Sequence, residues 1–262
     1  MTKKEKKKNK ILLIVLDILI IICFVGAAFF FLEPKVRNNK QKKIETSVMN
    51  EVNLLFDSEE EQMDDLVSIA VDPNANKVPG EAYEDFGLGI NTDEIVYDEN
   101  GQVIVDFIGS LNIPVIDLIT PIANDDSLIA IRYGVGHTPE SAEIGEQGRA
   151  LIFGHWFQDY GRVFNRLNEV NVGDEFTIDI LENRTRYFYK VHKAISIDES
   201  ELYHYLYEDE PEVDSEVLLI TCIVRNNHWW EQTGRYLVYG ELIDSKYIPP
   251  KTSKSEPTVV FE

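Results

Sequence analysis

A succession of short apolar segments from Gln102 onward constrains the fold of this chain more than any other feature. The segments are rich in β-branched and aromatic residues, and polar turns separate them. They cover residues 103–107, 109–113, 115–119, 128–133, 150–153, 175–181, 185–195, 217–221 and 235–242. Strands at this density predict a mainly β domain, either a barrel or a sandwich. Residues 162–170 are the one segment between them whose pattern predicts a helix.

The N-terminal region has a different pattern. Residues 11–32 are apolar except for Asp17, and 22 such residues are enough to cross a bilayer. The first ten residues carry six lysines against one acid, which favours a cytoplasmic N-terminus. The apolar stretch lacks an Ala-x-Ala cleavage pattern, so we interpret it as an uncleaved signal anchor. The sequence therefore predicts a cytoplasmic basic tail at 1–10, a transmembrane helix at 11–32 and a body outside the cell.

Between the predicted anchor and the predicted strands lies an acidic segment. Residues 33–101 are rich in Asp, Glu and Asn, and Val48, Val52 and Phe56 recur at helical spacing within a stretch near 44–70. We predict a partly helical stalk here, followed by a folded domain at 102–246. The Pro-containing residues 247–262 are predicted to be a disordered tail.

Charge and cysteine content narrow the functions. A formal net charge of −21 repels phosphate backbones, so nucleic acid is excluded as a partner. The chain has two cysteines, and Cys23 lies in the predicted membrane span. No disulfide framework is therefore expected, and Cys222 is the single thiol of the predicted outward-facing domain. An unpaired thiol in an oxidising compartment indicates a reactive role.

Three predicted strands end or begin with groups that carry chemistry. The apolar residues 218–222 end in Cys222, and Arg235 opens the next predicted strand. A hairpin between these strands would place Arg235 beside Cys222. A third apolar strand, 150–155, ends in His155. The ends of these three predicted strands thus carry a thiol, an imidazole and a guanidinium.

These residues resemble the sortase family. Its pattern has a strand that ends in Gly-His, as at residues 154–155, and a Thr-Leu-x-Thr-Cys strand, as at 218–222, followed by an arginine on the next strand. The resemblance covers residues 109–242, including Leu-Asn-Ile-Pro at 111–114 and Gly-His at 136–137. One departure is Leu218, which stands where the pattern has its first threonine.

The resemblance implies a closed eight-stranded β-barrel with short helices, and a cysteine transpeptidase of a Gram-positive-type envelope. Its substrates would be exported proteins with an LPxTG-like C-terminal sorting motif, and its acceptor an amine of peptidoglycan precursor. Cys222 would form a thioester, Arg235 would stabilise the oxyanion, and His155 would act as general acid and base. The housekeeping type, similar to classes A and D, is favoured over the pilus-polymerising type.

Strand alternation nominates the peptide groove. Phe153 and Ile220 each precede a predicted catalytic residue by two positions, so they should share its face. We predict that these two residues and Thr221 bind substrate, and that residues 196–216 form the specificity element.

Alternatives stay open from the sequence. His137 could serve as the base. The chain could polymerise pilins, hydrolyse peptides without transfer, or act as an anchored binding module in which Cys222 only packs. No cofactor or bound metal is expected, although the acidic loops at 140–146 and 208–214 could hold calcium through their carboxylates.

Overall fold

The computed structural model describes residues 3–58, 65–75, 97–156, 162–223 and 233–250. The chain divides into two compact units, residues 1–42 and 43–262. Helix α1 (Lys3–Asp57) supplies the described residues of the first unit and the beginning of the second.

The first unit is helical throughout its described residues. Arg37 pairs with Glu33 one turn earlier, at 2.8 Å between Nη1 and Oε2. Among the described residues, none of the helices has the length and apolar character that a bilayer crossing demands. The cytoplasmic tail at 1–10 and the anchor at 11–32 stay predictions.

The second unit is built on nine strands. They are β1 (Val67–Val71), β2 (Val103–Ile113), β3 (Leu118–Ala123), β4 (Val135–His137), β5 (Gly148–Phe153), β6 (Glu175–Ile180), β7 (Thr185–Asp198), β8 (Ser215–Ile223) and β9 (Gly234–Tyr247). Their order in the sheet is β1-β2-β3-β4-β5-β8-β9-β7-β6, and β6 pairs again with β2. This last pairing closes the eight strands from β2 through β9 into a ring, and β1 pairs with β2 outside that ring. The mainly β prediction is confirmed.

The two strands that carry His155 and Cys222 are buried on both faces. One face of β5 and β8 contributes Ala150, Ile152, Val217 and Leu219 to the main core. The other face contributes Leu151, Phe153, Leu218 and Ile220 to a second cluster. Leu202 and Leu206, from the segment between β7 and β8, cover that second cluster. Near-continuous apolar sequence, such as 217–220, follows from this two-sided burial.

The C-terminal part of α1 packs on the ring. Val48, Val52 and Phe56 form a cluster with residues of β1 and β2. The helix ends where Arg184 donates to the carbonyl of Leu55 at 3.2 Å and also to that of Phe56. This guanidinium satisfies carbonyls that a helix end leaves without intrahelical partners.

The predicted stalk helix differs from the observed one. The sequence extended it to residue 70, but α1 ends at Asp57 and Val67–Val71 forms β1, which pairs antiparallel with β2. Val67 and Val71 are buried by this pairing. The non-local contact with β2, which short-range pattern does not report, selects the strand. Residues 76–96 of the predicted stalk lie outside the described residues.

Three further local predictions differ from the structure. The predicted strand at 128–133 is a turn with a short 3-10 helix, Ala130–Arg132, and the turn predicted around His137 is strand β4. A short apolar run that is buried on all sides does not distinguish strand from helix by its period. The predicted helix at 162–170 is a 3-10 helix, Phe164–Glu169. The predicted disordered tail at 247–262 begins with ordered residues, since Tyr247 ends β9 and the Ile248 amide donates to the Arg184 carbonyl at 2.7 Å. Its residues beyond 250 lie outside the described residues.

Candidate active site

Cys222 and Arg235 face each other across two adjacent strands. β8 and β9 pair antiparallel, and in their register Cys222 lies directly opposite Arg235. Directly opposed residues of an antiparallel pair have Cβ atoms about 4.5–5.5 Å apart. The adjacency expected from a hairpin is therefore observed.

His155 reaches the same edge by a different route. β5 runs parallel to β8, with Phe153 paired to Ile220. Beyond this pair the Gly154 amide donates to the Ile220 carbonyl at 3.0 Å, so the two chains continue side by side. His155 and Cys222 each follow the paired residues by two positions. The structure thus brings His155, Cys222 and Arg235 to the ends of three neighbouring strands.

Thr221 ties the β5 and β8 ends together. Its side chain is buried, and its hydroxyl donates to the carbonyl of Gly154 at 2.9 Å. This bond spans 67 residues of sequence and lies between the residues that precede His155 and Cys222. Thr221 therefore fixes the separation of the two strand ends. Its predicted contact with substrate stays a prediction.

The ring of Phe164 leaves room only for a glycine at position 154. A Cβ atom at this position would lie 2.4 Å from Cδ2 of the Phe164 ring, which is too close for any side chain. The Phe164 amide in turn donates to the His155 carbonyl at 3.3 Å. The Gly-His pair therefore marks the place where the chain leaves β5 and the ring of Phe164 packs against it.

Arg235 is held by a carboxylate. Its side chain is buried, and its guanidinium donates to the Gly234 carbonyl at 2.9 Å and forms an ion pair with Glu199. Glu199 begins a short 3-10 helix after β7, and a capping box between Asp198 and Glu201 orders that turn.

The environment of His155 disfavours its protonated form. Burial lowers the pKa of His155 to about 3, and the nearby cations Arg132 and Arg162 add to this. A hydrogen bond to the Leu128 carbonyl acts in the opposite direction. The imidazole is therefore neutral at physiological pH in the absence of substrate.

Phe153 and Ile220 share a face, as strand alternation predicted. They are 2% and 1% exposed and pack with Leu202 and Leu206. The same alternation along β5 and β8 assigns the positions of His155 and Cys222 to this face. These apolar side chains pack beneath the segment between β7 and β8, on the face that also carries the positions of His155 and Cys222. Peptide binding by Phe153 and Ile220 stays a prediction.

A buried arginine anchors the predicted specificity segment at 196–216. Arg149, on β5, donates to the carbonyls of Tyr205 and Asp209 at 2.8 and 2.7 Å. It also pairs with the buried carboxylate of Glu216 at the start of β8. Charge-assisted bonds from one guanidinium therefore connect the segment to the sheet beneath it.

The alternative base and the predicted calcium ligands have other contacts. His137 is fully buried in β4, and its Nε2 lies 3.0 Å from the Ala142 carbonyl. Of the predicted calcium carboxylates, Glu212 pairs with Lys193 at 2.7 Å. Within the described residues, no three His, Cys, Asp or Glu side chains are grouped so that they could bind a metal ion.

Sequence reasoning missed the charged residues that lie near the three predicted catalytic groups or anchor the predicted specificity segment. Glu199, Arg132, Arg149 and Arg162 carry no motif of their own. The one local signal was the Asp-x-x-Glu capping box at 198–201, which predicts an ordered turn after β7. The other three depend on contacts between distant segments.

A family model for the sortase domain matches residues 111–243, just over half of the chain. The chain belongs to the sortase family. Sortases are cysteine transpeptidases that act on proteins bearing a sorting motif. The matched range contains β3 to β8, the end of β2, most of β9, and His155, Cys222 and Arg235.

Solved sortase structures are similar to this sortase domain. The complex of Streptococcus agalactiae sortase C1 with MTSET is 26% identical over 53% of this chain and 68% of that chain, with a TM-score of 0.45. Listeria monocytogenes sortase A is 24% identical over 53% and 89%, with a TM-score of 0.46. A Clostridium perfringens sortase D5 transpeptidase is 24% identical over 62% and 96%, with a TM-score of 0.45. No curated protein sequence matches the chain significantly.

Proposed function

We propose that this sortase cleaves an LPxTG-like sorting motif of exported proteins and transfers the new carboxyl end to an amine of peptidoglycan precursor. Cys222 is the nucleophile, His155 the general acid and base, and Arg235 the oxyanion donor. Phe153, Ile220 and Thr221 contribute to the peptide groove.

The observation that carries the proposal is the convergence of three strand ends. Cys222 lies opposite Arg235 in the β8–β9 register, and β5 delivers His155 alongside β8. A nucleophile, a base and a fixed cation at one sheet edge are the parts that acyl transfer through a thioester requires.

The first half-reaction forms the thioester. The Cys222 thiol gives its proton to neutral His155, and the thiolate attacks the carbonyl carbon of the residue before the scissile bond. Arg235 donates to the oxyanion of the tetrahedral intermediate. The intermediate collapses, the C–N bond breaks, and the His155 imidazolium gives its proton to the leaving amine.

The second half-reaction releases the product. The acceptor amine attacks the thioester carbonyl, His155 takes a proton from the amine, and Arg235 again donates to the oxyanion. Collapse forms the new amide and releases Cys222, which recovers its proton from His155. Atoms and charge balance without a cofactor.

The finer assignments belong to the same proposal. Asp72 and Pro73 precede the domain but are followed by Asn74, so an Asp-Pro-aromatic lid of the pilus-polymerising type does not occur there. This favours the housekeeping type. The lysine-rich N-terminus and the apolar residues 11–32 support a single-pass anchor with the catalytic domain outside the cell.

The test is a transfer assay with mass spectrometry. The wild-type chain and Cys222→Ala are each mixed with a library of LPxTG-type peptides and triglycine as the amine. An amine-joined product and a thioester adduct of the wild type, both absent in Cys222→Ala, are expected. Cys23→Ala is the matched control, because it removes the other thiol of the chain and should retain full activity.

Other outcomes separate the alternatives. Cleavage without joining would make the chain a hydrolase, and joining to a lysine side chain in preference to triglycine would favour pilin polymerisation. No turnover and an unmodified Cys222 would support a binding module. Parallel reactions with EDTA and with added calcium test the expectation that no metal is needed.

A further inference from the structure

One acidic side chain of α1 faces the ring. Glu45 is 13% exposed, and it precedes Val48, Val52 and Phe56 on the buried face of the helix. Its Oε1 accepts a hydrogen bond from the Thr120 hydroxyl at 2.9 Å, and its Oε2 lies 3.5 Å from Nη2 of Arg162. A carboxylate this buried is stable as an anion only with such partners.

Arg162 lies where the chain returns to His155. Trp156 and Val163 form a bridge, and the Phe164 amide donates to the His155 carbonyl at 3.3 Å. Val163 adopts a φ of +44°, which is unusual for a β-branched residue. Arg162 is 6% exposed, so its cation and that of His155, when protonated, interact through protein more than through water.

A second cation beside His155 is attached to the same N-terminal region. Arg132 donates to the carbonyls of Pro73 and Ala75 at 3.0 and 3.2 Å. Glu45, Pro73 and Ala75 all precede residues 111–243, the range that matches the sortase domain. The charges around the predicted general acid are therefore held by a part of this chain that lies outside the family domain.

We propose that Glu45 is a positioning residue for His155 and acts through Arg162. Its carboxylate fixes the Arg162 guanidinium and offsets its charge, which makes the imidazolium easier to form when the leaving amine needs a proton. This inference rests on the proposed function, in which His155 is the general acid. Glu45 itself does not touch substrate.

The electrostatic setting makes the direction of the effect definite. The cations that disfavour imidazolium are Arg132 and Arg162, and the Leu128 carbonyl favours it. Cys222 and Arg235 lie on the neighbouring strands β8 and β9. Removing the Glu45 charge takes away a carboxylate that offsets the Arg162 charge and makes His155 harder to protonate. Removing the Arg162 charge makes it easier.

The test measures the pKa of His155 by NMR in the full chain with ring-labelled histidine, and the His155→Gln spectrum assigns the signal. Glu45→Gln is expected to lower this pKa by about one unit and Arg162→Gln to raise it by about one unit, each a tenfold change in the imidazolium fraction. In the transfer assay, Glu45→Gln should reduce kcat about tenfold with KM unchanged, because the proton is needed after binding.

Two matched variants separate charge from packing. Glu51→Gln makes the same charge change at an exposed position of the same helix and should leave the pKa of His155 where it is. Glu45→Asp keeps the charge and should stay closer to the wild type than Glu45→Gln. Thermal unfolding of every variant identifies any that fail to fold.

Opposite shifts in Glu45→Gln and Arg162→Gln are the signature of the proposal. Shifts of the His155 pKa in the same direction would mean that both variants merely loosen the site. Equal pKa values of His155 in Glu45→Gln and Glu51→Gln would mean that Glu45 has no influence. Either result overturns the proposal. The NMR measurement needs no turnover, so failure of the proposed transpeptidase function would be recognised separately, by an inactive wild type.

Discussion

The two halves of the candidate active site are held in different ways. Cys222 and Arg235 are fixed by the main chain, because adjacent antiparallel strands set them opposite each other within 13 residues of sequence. His155 depends on contacts between segments distant in sequence: the parallel pairing of β5 with β8, and the side-chain bond from Thr221 to Gly154. The first half tolerates changes in its surroundings, whereas the second depends on each individual contact.

The largest effect is expected from Arg235 itself. Arg235→Gln removes the cation from the oxyanion site and should reduce kcat by about 10²–10³-fold, the loss found when one oxyanion donor is removed. Arg235→Lys keeps the charge without the planar guanidinium, and its kcat should lie between those of the wild type and Arg235→Gln. Single-turnover formation of the thioester measures the step. A wild-type rate for Arg235→Gln would remove Arg235 from the mechanism.

Gly154→Ala attacks the His155 half directly. The added methyl group would overlap the Phe164 ring, and overpacking of this kind destabilises a protein by about 1–3 kcal/mol. We expect a lower denaturant midpoint together with slower thioester formation. Gly173→Ala, at a position where an added Cβ atom would meet nothing within 4 Å but φ is +99°, is the control for strain without overlap. Its transfer rate should be unaffected.

Thr221→Val removes the hydroxyl that joins the two halves. A buried carbonyl of Gly154 would lose its donor, at about 1–3 kcal/mol of unfolding free energy. Thr221→Ser keeps the hydroxyl and should restore most of the stability. Chemical denaturation of the three proteins checks this. A loss of stability in Thr221→Ser with none in Thr221→Val would show that the methyl group matters and that the hydrogen bond does not.

The half that contains His155 should also make the stability of the protein sensitive to acid. Burial lowers the pKa of His155 to about 3 and lowers that of His137 as well. Below about pH 6.5 these histidines are protonated in the unfolded chain but not in the folded one. The free energy of unfolding therefore decreases as the pH falls toward 3, by up to about 1.4 kcal/mol per pH unit for each histidine. Burial raises the pKa of Asp126, which opposes this trend.

Unfolding free energies measured at several pH values test this difference. His155→Gln and His137→Gln should each reduce the slope between pH 6 and 4. An unchanged slope in both variants would contradict the prediction.

The smallest effect is expected from Glu199→Gln. The amide keeps a hydrogen-bond acceptor for Arg235 but loses the charge, and Glu199 is half exposed, so solvent screens the pair. We expect a change of a few-fold in kcat and little change in stability. A loss as large as that of Arg235→Gln would mean that this half, too, depends on individual side-chain contacts.

The same contrast explains how far the sequence was informative. The 217–221 and 235–242 runs predicted β8, β9 and the adjacency of Cys222 and Arg235, because a hairpin is local. Strand β1 and the contacts of Glu45 and Arg132 were missed, because they join segments that are distant in sequence and leave no periodic pattern. Residues 128–133 were assigned the wrong structure, since full burial removes the polar positions that reveal a period.

The parallel pairing of β5 with β8 has a consequence for how the enzyme matures. Residues 67 positions apart must meet before His155 and Cys222 lie side by side, and such non-local pairings form slowly. A chain that emerges N-terminus first exposes His155 long before Cys222. The thiol of Cys222 therefore meets His155 only after β5 has paired with β8, whereas the local β8–β9 pairing brings Arg235 beside it without closure of the ring.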